Sequence, residues 1–335
     1  MTTTVVNSIG SGKTYSTVAA WIAAVPADLT SVDEIWKGEV YDELTVTGTT
    51  TMSGTTTDAT RYMWLAAAAA SSLCDDASQV LRYTTGKAGM TGNVGSSGYP
   101  NVLLISQGYS LVERLQFRST SGASSTAVKI NAPGVVFRNN LVDNNAISAC
   151  VRIESTSGTG AKIIQNVLIY RGASGGEGVH TASSDAQTVI ANTIVNLGSG
   201  TNGIACGAGY NTINAQDNAI FGAWSGGAMV NGGSGFGASD YNAMDDTSAL
   251  GSGAHQLTSK TFSAQFRNIT SGTLDLRAAT SGSDIAGAGT RQNTYTSDLD
   301  FFGQARSTSA PTIGAYELAA AAGSSAKRLL MLGAG

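Results

Sequence analysis

Asn140, Asn166, Asn192 and Asn218 recur at a constant spacing of 26 residues, each in the same local frame. Two residues after each asparagine stands an aliphatic side chain: Val142, Leu168, Ile194 and Ile220. Three residues before stands an apolar one: Phe137, Ile163, Val189 and Ala215. One step upstream, the segment Val112 to Phe117 fits with Arg114 in the asparagine slot. One step downstream, Asn242 fits after a two-residue deletion. A repeat of this length is the signature of stacked coils. The unit contains short β-rich runs separated by Gly, Ser, Thr and Asn, and no helical periodicity. Such a unit cannot bury its apolar face alone; it does so by stacking on its neighbours. The expected fold is all-β: a single-stranded right-handed parallel β-helix with coils of about 26 residues and strands about 4.8 Å apart. Equivalent residues then lie above one another, and an asparagine kept in one slot forms a hydrogen-bonded ladder along the stack. The asparagines are thus expected to be structural.

A second set of apolar positions, Ile130, Ile153, Val179, Ile204 and Val230, recurs at less even intervals and places the length variation in the loops. Turns that bend this often need glycine, of which there are 42, whereas proline numbers only 4. Charged residues make up 13% and the net charge is −4, with 19 Lys and Arg forming no cluster beyond Lys327 and Arg328. That excludes a basic stripe of the kind that binds nucleic acid. No apolar run approaches the roughly 20 residues that span a bilayer, and the first residues lack the pattern of a secretory signal. The chain is therefore expected to be made in a cytoplasm and not secreted. Cys74, Cys150 and Cys206 have no metal-ligand spacing and are expected to be reduced and buried.

The chain divides into four parts. Residues 1–30 read as an entry strand and a capping helix, N-capped by Ser16 or Thr17, with Val18, Trp21, Ile22 and Val25 on one apolar face. Residues 31–249 hold the coils, including expected strands near Tyr62 to Ala66, Val80 to Tyr83, Val102 to Ile105 and Leu111 to Phe117. Residues 250–318 are less regular and are expected to close the stack. Residues 319–335 form an extended tail in which an Ala/Gly/Ser spacer leads to Lys327, Arg328, Leu329, Leu330, Met331 and Leu332. A charge-poor apolar end of this kind is expected to seek a groove on a partner or sister subunit.

The opening Ile9-Gly10-Ser11-Gly12-Lys13-Thr14-Tyr15, continuing to Ile22 and followed by Glu34 to Glu43, resembles the start of pectate-lyase-like right-handed β-helix proteins. Leu274 to Arg277, Asp298 to Arg306 and Pro311 to Glu317 are similar to the end of many such domains. The fold hosts lyases, hydrolases, adhesins and phage spikes, so it does not fix a function. The Ser/Thr/Gly/Ala richness and the short apolar tail look most like tailed-bacteriophage virion proteins. That resemblance implies a capsid decoration, cement or head-spike protein located in the virion and bound to other capsid or tail subunits. A homo-oligomer, with a trimer as the state the resemblance implies, and weak glycan adhesion through surface Ser, Thr and Asn are further implications. Tailspikes usually add a particle-binding and a trimerisation domain, for which this coil pattern leaves no room. The alternative is a tail-associated receptor-binding spike or a polysaccharide-degrading enzyme.

Glycoside hydrolysis needs two carboxylates at close range. Lyase chemistry in this fold uses a basic side chain and a calcium ion held by acidic groups. Matched slots do not supply these groups. Asp143 is followed at 26-residue steps by Ile169, Val195 and Phe221, and the positions equivalent to Asp217 in the other coils are Asn139, Gln165 and Ala191. His180 lies near Glu177 and Asp185, and could titrate in the physiological range. His255, the pair Asp245–Asp246, and Asp298 with Asp300 stand alone. Gly10 to Thr14 evokes a phosphate loop, but Asn7 occupies its first glycine position, and a turn before the helix is the better account. The sequence thus points to no catalytic residue, metal or cofactor.

Overall fold

The computed structural model of the chain describes residues 2–92, 101–120, 125–154, 157–207, 212–231, 235–247, 253–280, 282–290 and 299–318. It is a right-handed parallel β-solenoid of about seven turns. One coil shows the plan. Val136–Arg138 lies in sheet one, Leu141–Asn144 in sheet two and Val151–Ile153 in sheet three; Lys162–Ile164 then returns to sheet one. The three sheets hold eight, eight and seven strands, all parallel.

The corner between sheets one and two carries the asparagine ladder. Arg114, Asn139, Gln165, Ala191, Asp217 and Tyr241 hold this corner with φ between 53° and 62°. A non-glycine residue there costs on the order of 1–2 kcal/mol. The next residue in each coil repays it in hydrogen bonds. The Oδ1 of Asn166, Asn192, Asn218 and Asn242 accepts the backbone N–H of the asparagine one rung before, at 2.8–3.1 Å. Their Nδ2 groups donate to Phe137, Ile163, Val189 and Ala215 carbonyls, at 2.8–2.9 Å. Asn166, Asn192 and Asn218 also donate through Nδ2 to the next asparagine's Oδ1 at 2.9–3.0 Å. All five asparagines from Asn140 to Asn242 are fully buried. The Gln256 side chain terminates the ladder by accepting the Asn242 N–H at 3.1 Å.

Two features of the pattern sit differently from expectation. Gln116 pairs with Leu141, so this coil is one residue shorter, and Arg114 occupies the positive-φ corner with Leu115 in the ladder slot. Asn140 Oδ1 accepts the Leu115 N–H at 3.0 Å. In sheet three, Ile153 stacks on Thr181 and Val151 on Val179, while Ile204 stacks on Met229 and not on Val230. The first is a slip of two residues, which keeps the same side chains inward and so escapes alternation; the second is a slip of one, which turns Val230 to the other face and leaves Met229 buried.

The interior between the sheets is a continuous apolar core, in which the aliphatic residues flanking each ladder position are buried. The helix α1 (Val18–Ala23) covers its N-terminal end, with Thr17 Oγ1 accepting the Ala20 N–H at 3.1 Å and Val18 and Trp21 buried. Trp21 seats against Gly38, where an added Cβ would come within 2.7 Å of both Trp21 and Ile9. A second short helix, Leu29–Val32, capped by Asp28, follows.

A second core lies outside the coil. Leu141, Val167, Ile169, Val195, Ala219 and Phe221 point outward from sheet two and would face water. They are covered by Phe266, Leu274, Leu276, Phe301, Phe302 and Tyr316, with Leu73 and Leu81 from the segment before the regular coils. Residues 253–257 add to the last rung through Leu257, and the chain then turns back along sheet two. Val80 to Tyr83, expected as a strand, is irregular because Leu81 is anchored here: it shares hydrogen bonds with Leu276 and Asp275. Among the described residues, no helix is long and apolar enough to cross a membrane.

Replacing Asn192 by alanine should orphan the buried N–H of Asn166, leave its Nδ2 only the Phe137 carbonyl, and remove the Nδ2 donor to the Ile163 carbonyl. We expect a loss of roughly 3 kcal/mol in urea unfolding. A loss under about 1 kcal/mol would mean that the ladder contributes little to stability.

Candidate functional site

Where sheet one meets the returning C-terminal segment, the outward side chains form a polar cleft of 270 Å³. Glu113 and Arg138 are register partners on adjacent strands of sheet one. Their position directly precedes the positive-φ corner, so their side chains emerge at its rim. Glu113 is fixed from two sides: Oε2 accepts from Arg138 Nε at 2.7 Å, and Oε1 from Trp64 Nε1 at 3.0 Å. Lys37 Nζ sits 4.2 Å from the Trp64 ring centre and 2.7 Å from Glu39. Arg114 pairs with Asp75. The opposite wall is Leu299 to Gly303, tied to the coil where Gln165 Nε2 donates to the Leu299 carbonyl at 2.6 Å. Asp300 is buried there. Burial pushes its carboxyl above the usual range, against N–H groups of Glu317, Gln304 and Phe302 that favour the anion.

Glu113 is thus held on both of its oxygens, each of which keeps a further acceptor site. The cleft offers two guanidinium groups about 40% exposed and fixed acceptors, and the Trp64 ring, outside its lining, is bonded to its Glu113 wall. That set suits hydrogen bonding and stacking with a polar ligand.

Other charged groups are arranged similarly. Asp143 is buried on sheet two between Arg118, at 2.9 Å, and Arg171, at 2.6 Å. On sheet three Lys129, Arg152 and His180 are register partners on successive strands. Glu154 pairs with both Lys129 and Arg152. His180 Nδ1 lies 3.3 Å from Glu177, and Asp185 accepts the Gly158 N–H. His255 Nδ1 is 2.8 Å from Asp240, its ring stacked on Tyr241. Asp245 and Asp246 accept backbone N–H groups of Gly222 and Ala228. The Gly10 to Thr14 turn is held by the Asp42 carboxylate, which accepts the Ser11 N–H at 2.7 Å, and Lys13 lies 4.0 Å over the Tyr41 ring. All three cysteines are free and buried, and burial pushes the Cys74 thiol up to about 12.

Asn140, Asn166, Asn192 and Asn218 line no cavity; they lie inside the corner whose outer residues, Arg114 and Asn139, line the cleft. Lys327, Arg328, Leu329, Leu330, Met331 and Leu332, like Asp298, lie outside the described residues. The sequence reading did not single out Glu113, Arg138 or Trp64. The available signal was their shared outward position, one residue before the corner for Glu113 and Arg138. Among the described residues, no group of three or more His, Cys, Asp or Glu side chains is placed to hold a metal ion.

No family model matches the chain, and no curated protein matches it. A solved structure, that of pectate lyase Pel9A, aligns with 95% of this chain and 97% of its own at 13% identity, with a TM-score of 0.40.

Asp143→Ala leaves two arginines unpaired against a covered sheet, and should cost about 3 kcal/mol in urea unfolding. Glu154→Ala, whose carboxylate is itself 32% exposed where that of Asp143 is 2%, should cost under about 1 kcal/mol. Equal losses would show that burial does not distinguish the two networks.

Proposed function

We propose that this chain is a structural β-helix protein of a bacteriophage particle, a capsid decoration or head-spike protein that works by binding and not by turnover. The supporting observation is the state of its carboxylates. Glu113, Asp143, Glu154 and Asp275 are each held by arginine at 2.6–2.9 Å. Such ion pairs brace a rigid surface. The virion assignment draws on the resemblance of the sequence, and the binding assignment on this site chemistry. Its partners in this reading are neighbouring virion subunits, including copies of itself.

A second reading, a receptor-binding or polysaccharide-degrading spike, draws support from the cleft lined by Glu113 and Arg138, with Trp64 bonded to Glu113 beside it. An aromatic ring beside paired charges suits a sugar chain as well as a protein surface.

Immunogold labelling of particles from the source culture, with antibody raised against the chain, separates the readings. Label over the heads is expected. Label confined to tails would favour the spike. Unlabelled particles that lack the chain by mass spectrometry would overturn the virion assignment. In parallel, purified protein incubated with capsular polysaccharide should release no new reducing ends. Release that disappears in Glu113→Gln would establish an enzyme.

A further inference from the structure

At the N-terminal end of the stack, the capping segment does not cover the three sheets alike. The helix Val18–Ala23 lies against Thr50–Met52, the first strand of sheet three. Glu43–Val46, the first strand of sheet two, pairs among the described residues on one side only, with Gly89–Gly92. Beside it runs a groove of 480 Å³, whose far wall is Ser11 and Ser16 to Ala19. Proteins hold ligands in spaces of about 300–1,000 Å³.

The register shows which backbone groups face that groove. The Gly89 N–H donates to the Asp42 carbonyl, and Gly89 stands level with Glu43. Backbone groups alternate in direction along a strand, so those of Leu44 and Val46 also point to Gly89–Gly92. Those of Glu43 and Thr45 point the other way, and no hydrogen bond among the described residues uses them. Such an edge is a template for one more strand. In a pairing of this kind the main chain supplies affinity, and alternate side chains supply selectivity.

The lining sets the side chains. It is mostly Ser and Thr, so a hydrophobic segment would gain little there. Its charges are of one sign. Asp42 and Glu43 line it, and both are bonded to neutral groups: Asp42 accepts the Ser11 N–H, and Glu43 accepts the Tyr83 hydroxyl and the Gly86 N–H. Lys13, in the same turn as Ser11, lies instead over the Tyr41 ring. Two carboxylates at the start of an open edge, with no cation bonded to either, favour a basic residue. The two faces of an added strand also differ. Leu44 and Val46 pack against the main core, whereas Glu43 is bonded to Tyr83 of the outer cover. Positions level with Leu44 and Val46 thus lie toward Thr17, Val18 and Ala19, which favours small side chains.

We propose that this edge takes an extended segment of a partner protein as an added parallel strand. The segment carries lysine or arginine level with Glu43, small residues level with Leu44 and Val46, and a hydroxyl residue level with Thr45. It continues sheet two by one rung beyond the first coil. The site shares no residue with the cleft and does not rest on the virion reading.

The probe is the peptide acetyl-Lys-Ala-Thr-Ala-Thr with fluorescein at its C-terminus, and the readout is fluorescence polarisation with the full-length protein. In the parallel pairing the two alanine N–H groups face the edge and the threonine N–H groups face away. N-methylation of both alanines should weaken binding about tenfold or more, and N-methylation of both threonines by less than about twofold. Glutamate in place of the peptide lysine should also cost about tenfold, and Asp42→Asn with Glu43→Gln should abolish that preference. Equal binding of the two methylated peptides would overturn the strand pairing, and a preference for lysine retained in the double variant would overturn the charge assignment. No saturable binding up to about 1 mM peptide would overturn the proposal as a whole. The same failure accompanied by a dimer mass in light scattering would give the edge to a second copy.

Discussion

A buried corner with positive φ is the constraint on which this molecule depends. Each coil must turn sharply from sheet one to sheet two, and it does so on residues as varied as Arg114, Asn139, Gln165, Ala191, Asp217 and Tyr241. The turn leaves backbone donors and acceptors facing inward, away from water, where an unpaired group costs about 1–3 kcal/mol. A glycine would relieve the backbone strain but would satisfy none of those groups. An asparagine one residue later satisfies several at once, because its amide both donates and accepts. That division explains why the residue of unusual conformation varies while the one after it repeats. It also explains why the ladder ends on a glutamine: Gln256 brings the same amide chemistry from a loop to the last N–H.

The regularity of the corner passes a second constraint to the rest of the chain. With the strands held in register, outward positions of sheet two also align, and from Val167 to Phe221 they are apolar except Thr193, whose hydroxyl accepts the Ala315 N–H. A parallel sheet that is apolar on both faces must be covered. Residues 262–318 supply the cover, and in doing so bring Leu299 to Gly303 alongside the corner residues Arg114 and Asn139. The cleft is therefore a by-product of burying the second face. Its position follows from where the cover crosses the corner, not from any local motif.

This separates what was legible in the sequence from what was not. The ladder was legible because its residues repeat at the period of the coil and require one chemistry. The inward aliphatics flanking it were legible for the same reason. The alternation of Ile169, Val195 and Phe221 in the Asp143 slot was visible as an absence of carboxylates, but its meaning, a second buried face, needs the cover to be placed. Sheet three was read with a slip because its strands join loops of unequal length, and a two-residue shift leaves alternation unchanged. The cleft was not read at all. Glu113 and Arg138 lie one coil apart, Trp64 is two strands from Arg138 in sheet one, and Asp300 comes from far along the chain. Those are contacts of register and tertiary return, with no signature in adjacent residues.

The same geometry bears on why acidic groups here brace the surface. In a parallel stack, side chains in matched positions on successive rungs lie about 4.8 Å apart. Like charges at that distance repel, and each would raise the pKa of the other. Placing arginine in the neighbouring rung reverses the sign, and the chain does so repeatedly: Glu113 beside Arg138, and Asp143 beside Arg118. Turning such a face into a hydrolytic site would require removing the arginine that stabilises each carboxylate, so that one acid could hold its proton near neutrality. The arrangement therefore lies on the stable side of a choice between a braced scaffold and a strained acid pair.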